Sequence, residues 1–113
     1  MDESLDRIFS ALADPTRRAI LSRLAEGEAT VTQLAAPHGI SQPAISKHLK
    51  ILEAAGLIGS SKTAQARPRR LNADQLRIAH GWIEQFRAFW PDSFNRLDAF
   101  LKSTADHAKG QDQ

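Results

Sequence analysis

The sequence predicts a mainly α-helical domain that carries one small β-hairpin. Apolar residues recur at three- and four-residue steps along most of the 113-residue chain, which is the spacing of helical faces. Residues that commonly begin or end helices separate these stretches. The pattern breaks once, at residues 57–71, where two short segments flank a polar link and predict a pair of strands.

Two helices are predicted on either side of Asp14-Pro15. An Asp side chain accepts hydrogen bonds from the free amides of the helical turn that follows it, and Pro at the first helical position gives up no hydrogen bond. The second helix is expected to run to about Glu26, where Gly27 can end it. Four apolar residues share one face of the first helix: Leu5, Ile8, Phe9 and Leu12.

A short third helix and a longer fourth helix follow. Thr30 and Gln33 have the spacing of a capping box, and Pro37 allows the third helix little more than one turn. The fourth helix, predicted for about residues 42–55, begins at the N-cap Ser41 and is ended by a glycine. Its apolar stripe consists of three residues: Ile45, Leu49 and Leu52.

The side of the fourth helix that faces away from this stripe is polar and basic. At about 100° per residue, Pro43, Lys47 and Lys50 fall on that side, and Ser46 lies on the flank. Gln42 occupies the first turn, where the end of a helix can point into a groove. Gln42 and Ser46 are the candidates for contacts to bases, whereas the two lysines are suited to phosphates.

The break at residues 57–71 predicts a two-stranded hairpin with a polar link at residues 63–66. Pro68 lacks a backbone N–H, so the second strand is expected to lie at a sheet edge with incomplete hydrogen bonding. Four basic side chains on this hairpin are expected to reach a phosphate backbone or an adjacent minor groove: Lys62, Arg67, Arg69 and Arg70.

The end of the chain is predicted to be helical. Asn72 is expected to cap a helical region over about residues 73–102, which Pro91 should kink or split. Residues 105–113 lose apolar content and are expected to form a disordered tail, so that a single domain covers residues 1–104.

The predicted order of elements is that of a winged helix-turn-helix domain, with the hairpin as the wing. The third and fourth helices are then the helix-turn-helix pair. The second helix of such a pair, here the fourth helix, lies in the major groove of double-stranded DNA, which is wide enough to admit it. Residues 41–71 hold six basic residues and one acid, a net charge of +5, whereas the rest of the chain sums to −3. Charge alone fits an ordinary solvated face; charge on a helix-turn-helix predicts DNA binding.

The candidate DNA-binding residues come from the start of the fourth helix and from the wing. His48 lies beside the apolar stripe, so a DNA contact and a partly buried structural histidine both remain open. Arg17 is likewise open to phosphate contact or to pairing with a nearby acid. The candidate set is Ser41, Gln42, Pro43, Ser46, Lys47, His48, Lys50, Lys62, Arg67, Arg69 and Arg70.

A dimer is predicted from the aromatic residues near the end of the chain, which exceed what one terminal helix of a small domain can bury. Pairing about a two-fold axis would cover them and set two fourth helices about one DNA turn, ~34 Å, apart. The alternative is that they cover the first helix within one chain. The candidate interface residues are Leu5, Ile8, Phe9, Trp82, Phe86, Phe89, Trp90, Phe94, Leu97 and Leu101.

Three stretches of the sequence resemble the ArsR/SmtB family of bacterial winged-helix repressors: LADPTRRAILSRL, LAAPHGISQPAISKHLKILEAAGLI and FRAFWPDSFNRLDAFL. The resemblance covers about residues 5–102. It implies a homodimeric transcriptional regulator, most often a repressor, that dimerises through its first and last helices and belongs to a subgroup without a thiolate metal sensor.

Other functions have little support in the sequence. The chain has no Cys, which excludes disulfides and thiolate metal sites, and His80 with Glu84 supplies fewer ligands than a zinc site needs. No metal, cofactor or enzymatic activity is therefore expected. The absence of a long apolar run and of a signal peptide predicts a cytoplasmic protein without membrane contact. A winged-helix protein-interaction module without specific DNA binding is the remaining alternative.

Overall fold

The computed structural model describes residues 3–61, 67–91 and 99–103. The prediction of a mainly α-helical fold with one antiparallel hairpin is confirmed. Single 3-10 turns follow the third helix at Ala36–His38 and the fifth at Arg87–Phe89, and residues 99–103 are helical. The elements in chain order are α1 (Glu3–Leu12), α2 (Pro15–Leu24), α3 (Val31–Ala35), α4 (Gln42–Ala54), β1 (Ile58–Ser60), β2 (Arg69–Leu71) and α5 (Asp74–Glu84).

The predicted helix starts are confirmed by the capping side chains. The Asp14 carboxylate accepts hydrogen bonds from the backbone amides of Thr16 (2.8 Å) and Arg17 (3.1 Å). Thr30 and its partner three residues later form a complete capping box at α3. The Ser41 hydroxyl accepts from the amide of Ala44 at the start of α4. These local contacts satisfy amides that have no partner within their own helix.

The chain divides into two compact units, residues 1–81 and 82–113. The core of the first unit is formed by side chains of α1, α2, α3 and α4 together with those at the start of β1. Its largest fully buried side chains are Ile8, Ile20, Leu34, Ile45, Leu49, Leu52 and Leu57. The apolar stripes predicted for α1 and α4 are therefore the faces that form this core.

The burial of α1 corrects two residues of the candidate dimer interface. Leu5 and Ile8 are 7% and 0% exposed within a single chain, so they offer no surface to a second copy. The reason is that the face of α1 on which they lie packs into the core of its own domain. Phe9 packs against the same core and is only half-buried.

The hairpin pairs β1 with β2, with Ile58 opposite Leu71. The second strand lies at an edge of this two-stranded sheet, as expected, and on its other side Arg69 forms an isolated bridge with Ala29. Its backbone N–H donates to the Ala29 carbonyl (2.8 Å) and its carbonyl accepts from the Ala29 amide (3.1 Å). Proline has no N–H to donate, but the Pro68 carbonyl accepts from Ser61 (3.0 Å). The link at residues 62–66 lies outside the described residues.

Helix α5 ends earlier than predicted. Asn72 accepts a hydrogen bond from the Asp74 amide (3.3 Å), as its capping role requires, but the helix ends at Glu84. Beyond it the Phe86 amide bonds to the carbonyl three residues back, and Trp90 is extended. The ring of Pro91 disfavours helical geometry at the residue before it, which explains the extended backbone of Trp90. Residues 92–98, predicted to resume the helix, lie outside the described residues.

The described part of the second unit displays aromatic surface. Trp82 and Phe86 pack edge-to-face with ring centroids 4.9 Å apart, and the Arg87 guanidinium lies 5.3 Å from the centroid of the Trp90 ring. Phe89 remains 84% exposed. No helix among the described residues is long and apolar enough to cross a membrane.

Candidate nucleic-acid interface

Helices α3 and α4 form a helix-turn-helix pair. Gly39 lies in the turn between them with φ of 61°, a left-handed conformation that glycine adopts without steric cost. The Gln42 side-chain amide donates to the Thr32 hydroxyl (3.1 Å) and so connects the tip of α4 to α3. This contact leaves the Gln42 carbonyl oxygen and its second N–H available for other partners.

The division of α4 into a buried and an exposed side is confirmed. The stripe of Ile45, Leu49 and Leu52 is at most 1% exposed and holds the helix against the core. Ser46 and His48 are half-buried at the borders of the stripe. The exposed side of the first three turns carries Gln42, Pro43, Lys47 and Lys50. We call these four residues the α4 strip.

The two lysines of the α4 strip have no ion-pair partner among residues 3–61, 67–91 and 99–103. Two neighbouring cations on the same helical side create a positive potential that is not neutralised locally. Phosphate oxygens are the natural counterions for such a strip.

The three arginines of the wing have two different structural environments. The Arg69 guanidinium donates to the Glu53 carboxylate of α4 (2.8 Å), and its side chain is only 15% exposed. Arg67 and Arg70 are exposed, and the Arg70 guanidinium lies over Gly59 of β1. The structure thus places Arg69 as a connection between wing and α4. Lys62 lies outside the described residues.

Arg17 contacts the other edge of α4. One of its terminal nitrogens lies 3.2 Å from Nδ1 of His48, and the same nitrogen lies 3.9 Å from the Asp14 carboxylate. The acid pairing proposed for Arg17 is present, but the histidine contact was not predicted, because nothing local in the sequence connects residues 31 positions apart.

Hydrogen bonds and charges around the start of α2 change the pKa of Asp14. The Arg17 amide donates a hydrogen bond to its carboxylate and holds the pKa of Asp14 below its ordinary value. Desolvation of the carboxylate opposes this effect, and the Thr16 amide and the charge of Arg17 lower the pKa further. Asp14 therefore remains a charged cap at neutral pH.

Metal-ligating residues do not converge in the part of the chain that the structure covers. No three His, Asp or Glu side chains there could hold one ion together. His80 is exposed and Glu84 is half-buried, and the two lie four residues apart on α5. Asp106 and His107 lie outside the described residues.

The helix-turn-helix pair, the hairpin and the exposed α4 strip together define a winged helix-turn-helix domain of the kind that DNA-binding regulators use. Comparison with known proteins gives the same class and a family within it. Residues 14–60 match the family model described as "Bacterial regulatory protein, arsR family".

Two curated relatives are similar over most of their length. HTH-type transcriptional regulator Rv2034 of Mycobacterium tuberculosis is 42% identical over 91 residues, covering 76% of this chain and 85% of the relative. Transcriptional repressor SdpR of Bacillus subtilis is 37% identical over 82 residues, covering 73% and 91%. The chain belongs to the ArsR family of bacterial regulatory proteins.

Solved structures agree with this assignment. An ArsR-like transcriptional regulator from Rhodococcus sp. RHA1 superposes with a TM-score of 0.70 at 31% identity, covering 92% of each chain. The homodimeric winged helix-turn-helix DNA-binding domain of Mb0332 from Mycobacterium bovis has a TM-score of 0.62 at 25% identity, covering 75% of this chain and 82% of that one.

Proposed function

We propose that this protein is a sequence-specific, double-stranded DNA-binding regulator of transcription that acts as a homodimeric repressor and blocks its promoter. The observation that carries the proposal is the α4 strip: a helix held by a fully buried stripe exposes, beside an amide at its tip, two cations that have no ion-pair partner among the described residues. Two relatives named transcriptional regulator and transcriptional repressor support the regulatory role. The role is one of binding and requires no catalytic residue.

The contacts are divided according to the chemistry of the side chains. Gln42 and Ser46, near the start of α4, present amide and hydroxyl groups that suit base edges in the major groove. Lys47 and Lys50 bind phosphates and set the register of the helix. Ser41 and Pro43 lie at the same end of α4 and pack against the DNA backbone.

The wing adds contacts outside the major groove. Arg67 and Arg70 are exposed and free to reach the sugar–phosphate backbone or an adjacent minor groove, and Lys62 is assigned to the same role from its sequence position. Arg69 has an indirect part in this proposal: its pair with Glu53 holds the wing against α4.

The exposed apolar residues of the C-terminal part support the homodimer. Phe89, Phe100 and Leu101 are 84%, 66% and 58% exposed in a single chain, which is more apolar surface than a monomer of this size usually leaves in water. The related Mb0332 domain is homodimeric. The proposed interface comprises Phe9, Trp82, Phe86, Phe89, Trp90 and Leu101, with Phe94 and Leu97 assigned from the sequence alone.

The proposal is tested by selecting duplexes from a random library with the purified protein and measuring affinity for the selected duplex by mobility shift. If each protomer contacts three phosphates, affinity should fall about 10³-fold between about 50 and about 200 mM salt, because each contact releases counterions. Sedimentation equilibrium should give twice the mass of one chain.

The result that would overturn the proposal is a protein that enriches no sequence and retards no duplex even at the lower salt concentration. That outcome would favour the protein-interaction module, since a module of this kind needs no affinity for DNA. A protein that binds but sediments as a monomer would retain the DNA role and lose the homodimer.

A further inference from the structure

We infer that Arg17 is a positioning residue for DNA recognition: its guanidinium fixes the orientation of α4 relative to α1 and α2, and thereby the sequence specificity of the protein. The inference rests on the proposed function, because it concerns how the α4 strip is aimed at DNA. Arg17 itself lies at the start of α2 and is not part of the strip.

The Arg17 guanidinium is connected to three helices at once. Its Nε donates to the Ala11 carbonyl (2.7 Å) and one terminal nitrogen donates to the Ser10 carbonyl (3.1 Å), both at the end of α1. The other terminal nitrogen reaches His48 on α4 (3.2 Å) and lies near the Asp14 cap of α2. The side chain is only 12% exposed.

This arrangement requires arginine. The guanidinium is planar and presents five N–H donors in a fixed fork, so that bonds to α1 fix the direction of the donor that meets α4. A lysine ammonium presents its donors from a single atom and cannot span the separate acceptors of two helices. Arg17→Lys therefore keeps the charge and removes the geometric connection.

His48 is the point on α4 where this connection acts. Arginine can only donate, so Nδ1 of His48 is the acceptor in this contact. His48 directly follows Lys47 of the α4 strip, in the half of the helix proposed to enter the groove. The apolar stripe sets which side of α4 is buried; the Arg17–His48 contact sets its rotation within that constraint.

Small rotations of α4 matter for base contacts more than for phosphate contacts. Productive polar contacts need placement within about 0.5 Å and about 10–20°. Attraction between a flexible lysine and a phosphate tolerates larger displacements, since it depends on charge more than on direction. Loss of the Arg17 connection should therefore reduce specificity and leave non-specific binding nearly intact.

The test compares Arg17→Lys with Arg18→Lys as a matched control. Arg18 is the next residue of α2, is exposed, and donates to the Leu12 carbonyl at the end of α1 (2.8 Å); within the described part of the chain it makes no hydrogen bond to α4. Affinities are measured for the selected duplex and for a scrambled duplex of the same length and composition, at one salt concentration. Arg17→Lys should lose about ten-fold on the selected duplex and less than about two-fold on the scrambled one. Arg18→Lys should change neither by more than about two-fold.

A second variant keeps the test decisive if Arg17→Lys folds poorly. His48→Ala removes the same contact from α4 and leaves the Arg17 bonds to α1 in place. The losses of affinity in Arg17→Lys and His48→Ala should be non-additive, because both substitutions remove the same Arg17–His48 contact. The double variant should bind about as tightly as whichever single variant binds more weakly. Additive losses would indicate that His48 contacts DNA directly and would overturn the inference.

The inference would also fail if both duplexes lost affinity equally in Arg17→Lys, since that pattern reports a smaller folded fraction. Failure of the proposed function is distinct: there the wild-type protein would select no duplex at all.

Discussion

Lys50→Glu should weaken binding to the selected duplex about 100-fold or more at about 100 mM salt. The substitution removes a phosphate contact from each protomer and places a carboxylate where the DNA backbone should lie. Lys50 is exposed on the α4 strip and has no ion-pair partner among the described residues, so the change breaks no ion pair among them. Mobility shifts over a salt series measure the loss of affinity. They also give the slope of log affinity against log salt concentration, which should correspond to about two fewer phosphate contacts per dimer.

Arg77→Glu provides the matched control for this prediction. Arg77 lies on α5, and its side chain is 78% exposed and pairs with that of Asp74, which is 72% exposed. The substitution changes the net charge by the same amount as Lys50→Glu and should alter affinity less than about three-fold. Equal losses of affinity in the two variants would show that the overall charge of the protein, and not the position of Lys50 on the α4 strip, determines binding. Loss of the dimer in Lys50→Glu would show that α4 has been assigned to the wrong surface.

Leu52→Ala should lower the free energy of unfolding by about 3 kcal/mol, which is a large part of the stability of a domain this small. Leu52 is 0% exposed and belongs to the stripe that fixes α4 on the core. Its truncation removes buried apolar surface and leaves a cavity that the surrounding helices can fill only in part. Urea denaturation monitored by tryptophan fluorescence and circular dichroism measures the change.

Ile51→Ala is the control for Leu52→Ala. Ile51 is the preceding residue on the same helix, but 42% of it is exposed, so its truncation should cost less than about 1 kcal/mol. A loss at position 51 as large as that at position 52 would contradict the assignment of the buried and exposed sides of α4.

The sequence was sufficient wherever structure depends on residues close together in the chain. Asp14, Thr30 and Ser41 could be identified as helix caps because a capping bond joins a side chain to an amide two or three residues later. The sides of α4 could be assigned because a helix repeats every 3.6 residues, and its buried stripe confirmed the assignment.

Contacts between distant residues could not be predicted in the same way. The Arg17–His48 contact joins residues 31 apart and the Glu53–Arg69 pair joins residues 16 apart, and neither has a local pattern. The first contact joins α2 to α4 and the second joins the wing to α4, so both depend on how these elements pack together. Arg69 was therefore predicted for DNA contact on the basis of its charge alone.

The end of α5 shows a different limit. Apolar residues continue at helical spacing beyond Glu84, through Phe86 and Trp90, so periodicity alone predicts a longer helix. The chain instead forms a 3-10 turn at Arg87–Phe89 before Pro91. The same apolar spacing fits a continuous helix or a helix followed by a turn, so periodicity does not distinguish them, and Pro91 directly restricts only the backbone of Trp90.

We propose above that the exposed side of α4 enters the major groove of DNA. The most direct measurement is an NMR titration of the isotope-labelled protein with the selected duplex. The backbone amide signals of residues 42–50 should shift most, with smaller changes at Arg67 and Arg70, while those of α5 should change little. Shifts concentrated in α1 or α5, with residues 42–50 unchanged at saturation, would contradict it.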